Sequence, residues 1–576
     1  MIIQTFDLNY KNHKTMKKTL IAITLMLAAV TAGAQTMYDA LTFSQNNYYG
    51  TARSIGLGNA MTAVGGDLGS VGINPAGSAV FNYSQFSITP NVTISSMNAS
   101  WSPYPVGGVD SFSGDVRKNL SRFTMPNIGA TINFNTGRRS GLVGVTYGLV
   151  VNSVNNYTGQ MMAGGQNDKT SYQSSMAVAA DMFDIDFLNG YLNASGGSID
   201  DWTHPYENAD DRGEYAPWNV ITNAQAGAIA NYGDPNDPDY YWRYIAATEG
   251  FSQTGDKDQY GNHIYDIFLG GPLNQSYGRK VTGNKTDALM NVGFNFSNRF
   301  FLGVNLGITS LTYNYDEYFK EAAVDPSDFR IDYEESSTYF TDYRTRYSYS
   351  ADGTGVYGKI GFLALPLEGL RIGAAIQTPT AMFIDEIWRQ STDVHYQNSS
   401  YDGSATSPEG NFSYMLRTPY RANAGLAYTF MGMALLSVDY EMADYSTMKF
   451  MERDGNWSDS FDAVNRDIAD KMGVSHSLRV GAEFKPFPEF AIRTGYNFTT
   501  IPEYNGSTTL NDKINAFSVG IGYYSKGSFF ADLAARYTTY SDEEIFPYAD
   551  YMDIASPMIL NKRERLDLTA TLGWRF

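Results

Sequence analysis

The sequence predicts an all-β fold: a transmembrane antiparallel β-barrel of about fourteen strands, with an N-terminal plug segment (a hatch) in its lumen. Three observations carry the prediction. First, the chain closes on strict alternation. Leu566, Leu568, Ala570, Leu572, Trp574 and Phe576 fall on one face, and Asp567, Thr569, Thr571, Gly573 and Arg575 on the other. Such a strand has one apolar and one polar side up to its last residue, which suits lipid outside and lumen inside. Second, Met16-Lys17-Lys18, an apolar run over residues 20–30 and Ala32-Gly33-Ala34 form a secretory signal peptide with an expected cleavage after Ala34. Third, short and long links between strands take turns, as periplasmic turns and extracellular loops do in membrane barrels.

The alternation recurs along the chain. Phe86, Ile88, Val92 and Ile94 oppose Ser87, Thr89, Asn91 and Thr93. Leu302, Val304, Leu306 and Ile308 oppose Gly303, Asn305, Gly307 and Thr309, and Leu478, Val480, Ala482 and Phe484 oppose Arg479, Gly481 and Glu483. Turns fall at residues 137–140, near Asn298, at 366–368, near Met431, at 486–488 and near Lys526. Long polar links are expected over residues 97–125, 155–285, 316–352, 391–410, 446–473, 501–513 and 541–565. Keeping the alternation of links requires one strand to run through Thr378-Pro379 and another through Thr418-Pro419. The division is then residues 1–34 as upstream residues and signal peptide, 35–82 as the hatch and 83–576 as the barrel, with 155–285 as a long extracellular insert.

Composition narrows the function. Removing residues 1–34, with four Lys and one Asp, takes the formal charge from −19 to −22. So acidic a chain does not bind nucleic acid electrostatically. There is no Cys, hence no lipid-acylation site, disulfide framework or thiolate chemistry. The 43 Tyr, 33 Phe and 55 Gly suit strands, aromatic girdles and tight turns. No spaced Ser/His/Asp set or metal-ligand cluster stands out, so neither catalysis, a cofactor nor a metal is expected. His204, His263, His395 and His476 are scattered, which argues against haem ligation. Asp234, Asp237 and Asp239 offer hard oxygens but lack the calcium-loop Gly and Glu, and read as a solvated turn.

One segment does not alternate. After residues 38–49, where Ala40, Leu41 and Phe43 suit a short helix, come Ala52-Arg53-Ser54-Ile55-Gly56-Leu57-Gly58-Asn59-Ala60, Gly65-Gly66-Asp67 and Asn74-Pro75-Ala76-Gly77. Small residues permit close backbone approach and suit a plug folded into the lumen. These motifs resemble the N-terminal hatch of the FadL/TodX family of hydrophobic-compound channels. Leu370-Arg371-Ile372-Gly373-Ala374-Ala375-Ile376-Gln377-Thr378-Pro379, Ala424-Gly425-Leu426-Ala427-Tyr428 and Leu478–Phe484 resemble further parts of it.

The resemblance implies passive uptake of fatty acid-like compounds across a Gram-negative outer membrane. Cargo would pass from extracellular loops to a lumenal site and leave sideways into the bilayer. It also implies a gating role for Asn74, Pro75, Ala76 and Gly77. A kinked third strand would carry the lateral opening at Gly144 and Gly148, two lumen-facing glycines that equally suit making room for the plug. Arg371, Arg421, Arg479, Glu483, Arg493 and Arg536 lie on the lumen face, where they can hold a carboxylate cargo or pair with acids and steady the plug. In the insert, Met161, Met162, Phe183, Phe187, Leu188, Tyr191 and Trp202 suit either an entry surface or the insert's own core. Expected partners are hydrophobic molecules, outer-membrane lipid and, through Phe576, the barrel-assembly machinery. The alternative is a similar barrel that docks or shuttles secreted proteins.

Overall fold

The computed structural model describes residues 35–103, 112–181, 217–232, 243–257, 263–332, 336–455, 461–502, 513–550 and 554–576. The signal peptide, Phe183, Phe187, Leu188, Tyr191, Trp202, His204, Asp234, Asp237 and Asp239 lie outside them.

Fourteen antiparallel strands close into a barrel. They are β1 Gln85–Ser102, β2 Ser113–Asn135, β3 Leu142–Asn156, β4 Leu273–Phe296, β5 Phe300–Ala323, β6 Ser337–Leu367, β7 Leu370–Gln377 continued by Ala381–Tyr396, β8 Gly410–Arg417 continued by Arg421–Phe430, β9 Ala434–Asp444 with Lys449–Glu452, β10 Val474–Phe487, β11 Phe490–Thr500, β12 Lys513–Tyr524, β13 Phe529–Tyr540 and β14 Met558–Arg575. Each pairs with the next, and β14 returns to β1 from Gln85↔Arg575 to Ser102↔Met558. The terminal residue completes the closure: Ser84 N–H donates to the Phe576 carbonyl, and Phe576 N–H returns a bond to Ser84. Arg575 stacks over Tyr83, Tyr524 and Phe530, each ring centre 4.9 Å away.

Pro379 and Pro419 interrupt β7 and β8 as the sequence requires, because proline gives no ladder donor. The outward positions are apolar, with Leu426, Val438, Val480, Ile521 and Leu568 exposed, and small or polar residues face the lumen. That is the pattern of a wall standing in lipid. Among the described residues no helix is long and apolar enough to cross a membrane.

The long polar links need a correction: much of what read as loop is strand. β6 is 31 residues long, whereas about 9–11 tilted residues cross the bilayer. Above the lipid the outward positions turn polar while the lumen positions stay bulky, so the aliphatic signal fades although the pairing continues. Residues 316–352 are mostly the β5–β6 hairpin, paired down to Ala322↔Asp342. The insert sends helices over this upper barrel, Tyr172–Asp181 and Trp218–Gln225. They join Trp101, Met161, Phe319, Tyr343 and Tyr548 in one buried cluster. Buried Glu321 anchors the first helix, accepting from Tyr172 N–H (2.8 Å), Ser171 Oγ (2.8 Å) and Gln173 Nε2 (3.0 Å). Met161 therefore belongs to the insert's core, one of the two readings open from sequence.

Candidate functional site

The plug is built from short, capped turns. α1 (Met37–Ser44) begins with a capping box between Thr36 and Asp39. α2 (Ala52–Gly56) is capped by Thr51, which also donates to Asp67 Oδ1 at 2.7 Å. α3 (Ser70–Ile73) leads to a 3₁₀ turn, Pro75–Val80, with Asn74 at its cap and Pro75 at its first position. Burial of α1 raises the Asp39 carboxyl above the ordinary carboxylate range, against two hydrogen bonds from Thr36 that lower it.

These turns leave many backbone groups unpaired, and buried backbone groups need partners. The wall supplies them. Lys285 Nζ donates to the Phe43 carbonyl (2.8 Å), Arg421 Nη2 to Ser44 (2.7 Å), Arg371 Nη1 to Val64 (2.7 Å) and Lys359 Nζ to Gly72 (2.8 Å). Asn305 donates to Val71 (2.8 Å) and Asn291 to Pro75 (3.1 Å), while Asp439 accepts from Thr62 N–H at 2.6 Å. Asn74 ties plug to wall directly: its Nδ2 donates to the Thr62 carbonyl (2.7 Å) and to Phe362 of β6 (2.9 Å).

A girdle of wall glycines lets the plug come this close. A Cβ at Gly303 would land on the Pro75 carbonyl carbon and Ala76 nitrogen. One at Gly293 would meet Ser78 and Ala79, at Gly373 Thr62, at Gly481 Leu57 and at Gly495 Gly58. Several are cross-strand neighbours: Gly303 pairs with both Gly293 and Gly361, Gly373 with Gly425, and Gly481 with Gly495. Pro75, Ala76 and Gly77 are buried against this girdle.

The lumenal charges form two paired clusters and one further ion pair. Glu441 accepts from Arg479 (2.6 Å) and Arg421 (3.1 Å). Glu483 accepts from plug Arg53 (3.1 Å) and wall Arg493 (2.6 Å), and Arg493 reaches Asp532 at 2.6 Å. Arg536 pairs with Asp567 (3.1 Å) and donates to the Tyr48 carbonyl (3.2 Å). All six charged positions singled out in the sequence thus lie in plug contacts or in the ion pairs beside them. Glu483→Gln should leave half-buried Arg53 without its carboxylate and buried Arg493 with Asp532 alone, a loss of about 3 kcal/mol. A lower thermal midpoint of the heat-modifiable barrel band would register it; an unchanged midpoint would contradict it.

Above the girdle, α1 fills an apolar compartment. Met37, Leu41 and Phe43 pack among Tyr157, Leu311, Met382, Ile384, Tyr414 and Phe450.

The wall beside this compartment is split. β2 pairs with β3 only from Asn135↔Gly144 to Asn127↔Asn152. Above Asn127, β2 continues to Ser113 with β1 as its one paired neighbour among the described residues. The parting falls at Pro126, which brings no N–H, beside a register shift between Thr89 and Asn91 that spans Pro90. It lies within the apolar band, between outward Ile128 and Phe123. The freed edge of β3 is covered by plug backbone: Tyr49 N–H donates to Ser153 (2.8 Å) and Asn47 N–H to Val154 (2.7 Å), in an antiparallel bridge. Arg565 holds the Tyr49 hydroxyl at 2.5 Å.

Gly144 and Gly148 face the lumen below the split, against Asn295, Asn291 and Thr131 of the adjoining strands. Gly144 borders a register shift between β3 and β4, while Gly148 sits in regular pairing. Sequence reading passed over Pro90 and Pro126, although a proline inside an alternating run is itself a signal of a bulge or edge. Among the described residues no group of side chains is arranged to hold a metal ion.

No family model matches the sequence, and no curated protein does. Among solved structures, the chain is similar to a Pseudomonas aeruginosa FadL homologue at 11% identity, over 92% of this chain and 99% of that one, with a TM-score of 0.47. It is similar to the Pseudomonas putida toluene transporter TodX at 10% identity, over 92% and 100%, with a TM-score of 0.46. The Ralstonia pickettii toluene transporter TbuX gives 11% identity, 91% and 98%, and a TM-score of 0.45.

Proposed function

We propose that this chain is a channel of the FadL/TodX type in a Gram-negative outer membrane, taking up hydrophobic compounds passively, with fatty acid-like molecules as cargo. The observation that carries the reading is the split between β2 and β3. It opens at lipid height, beside an apolar compartment, and plug backbone pairs with the freed edge of β3. A watery pore gains nothing from such an arrangement, whereas an apolar solute gains about 25 cal/mol for every Å² it moves from water into lipid.

In this mechanism cargo enters from the extracellular side, past the insert, and displaces α1 from its compartment. The plug segment at Asn47–Tyr49 lifts from β3, and the molecule slides out between β2 and β3. Asn74–Gly77 keep the remaining plug seated on the glycine girdle, so no aqueous hole forms. Gly144 and Gly148, free of side chains, let β3 flex below the split. Arg371, Arg421, Arg479, Glu483, Arg493 and Arg536 steady the plug rather than hold a carboxylate, since each already bonds the plug or an ion-pair partner beside it. A signal peptide ending at Ala34 would deliver the chain for export, and Phe576 at the rim would present it to the assembly machinery.

Extraction and mass spectrometry of barrel purified in mild detergent tests the reading. Enriched fatty acids or other apolar molecules are expected. An empty barrel that brings down a secreted protein would overturn it in favour of docking.

A further inference from the structure

Two cations face each other on the outer wall just above the lipid band. Arg417 at the end of the upper half of β8 pairs directly with Lys449, and Ala381 of β7 adjoins Arg417 on its other side. Their neighbours Leu416 and Phe450 are buried inward, so alternation turns Arg417 and Lys449 out. Arg417 is exposed and Lys449 half-buried.

The height follows from the strands below. Outward Tyr428 and Phe430 mark the lower rim of β8, Leu426 the middle, and Tyr420 the upper end. That stretch is close to the 9–11 residues of a membrane-crossing strand. Arg417 comes next, at the level where barrels meet lipid headgroups.

Like charges directly opposite on a sheet are destabilising. Four other outward arginines of the upper barrel are neutralised, Arg117 by Glu564, Arg346 by Asp316, Arg389 by Glu409 and Arg453 by Asp385, while Arg344, opposite Lys320, lies over the Tyr318 ring. Arg417 makes only a long bond to the Thr447 carbonyl, 3.5 Å. Among the described residues neither Arg417 nor Lys449 has a salt bridge. The adjacent Asp444 is committed to the Ser446 N–H (3.2 Å) and hydroxyl (2.6 Å). The pair is therefore a doubly positive spot, open to the membrane surface, with no salt-bridging anion among the described residues.

We propose that Arg417 and Lys449 bind the phosphate of an outer-leaflet lipid, the guanidinium giving a planar fork and the ammonium a point charge. Below the pair, toward the bilayer, half-buried Tyr420 and exposed Ile376 and Leu426 give the lipid's apolar part a surface beneath the headgroup. The site is independent of the cargo and of the split in the wall.

The test is a titration of purified barrel with neutral-detergent micelles containing a bisphosphorylated glucosamine lipid. Micelles with the dephosphorylated lipid run in parallel. The Arg417→Gln/Lys449→Gln variant should lose about thirty-fold in affinity for the phosphorylated lipid, each cation near an anionic surface contributing about a factor of five. Arg389→Gln, elsewhere on the same outer wall, should bind like the native chain, and heat-modifiable migration shows that each variant is folded. Equal affinity in the double variant, or equal binding of the dephosphorylated lipid, overturns the proposal. Displacement by inorganic phosphate alone also overturns it, by marking a site for the free ion.

Discussion

A Gly303→Val barrel should insert and run as a folded, heat-modifiable species, yet fail to seat its plug. The added Cβ would fall on backbone atoms of Pro75 and Ala76, which cannot swing aside as a side-chain end can. Overpacking a tight contact costs about 1–3 kcal/mol even where neighbours can shift. Here the neighbours are the Asn74 cap and its bonds to Thr62 and Phe362, so the plug must tilt or leave. The strand itself has little reason to suffer, because valine suits a strand and Gly303 is paired on both sides. Single-channel recording should show a steady ionic conductance absent from the native protein, and protease should cut within the plug. A silent bilayer with a protected plug would show that the girdle does not set the seal.

The second large effect comes from fixing the plug to the split. Asn47 Nδ2 donates to Asn155 Oδ1 at 3.0 Å beside the Tyr49↔Ser153 bridge. Residues facing each other across antiparallel backbone lie about 4.5–5.5 Å apart at Cα, within the range a disulfide spans. The chain has no cysteine, so Asn47→Cys/Asn155→Cys creates one possible bridge. Oxidised, this barrel should lose uptake of hydrophobic compounds down to the level of membranes without it. Reduction should restore it, and each single variant should transport normally. Normal uptake by the oxidised form would remove Asn47–Tyr49 from the path while leaving hydrophobic transport intact. Absence of uptake in every form, the native one included, would count against the transport reading itself.

Which of these features the sequence revealed follows from how local each one is. Alternation is local, so the strands, their even number and the passage through Pro379 and Pro419 could be read directly. The short helix over Ala40–Phe43 and the close approach implied by Gly-rich turns are local too. The partners of Arg371 or Arg536 are plug carbonyls hundreds of residues away in sequence, Val64 and Tyr48, so residue type alone favoured a structural role only because paired lumen charges are normal in barrels and left cargo binding open. The split could not be read, because a strand's pattern does not say where its neighbour stops pairing. Pro126 hinted at it, but residues 97–125 read as a loop once their outward positions turned polar. Strand extension above the membrane was hidden in the same way along β5 and β6.

Hydrophobic selectivity is the most direct test of the account. Liposomes bearing the native barrel would be compared with protein-free liposomes for uptake of a labelled long-chain fatty acid and of a small neutral sugar. Faster entry of the fatty acid, with the sugar held at the protein-free rate, is the predicted result. Entry of the sugar without any gain for the fatty acid would mean an aqueous pore, and the reading of the split as a lipid-side exit would fall.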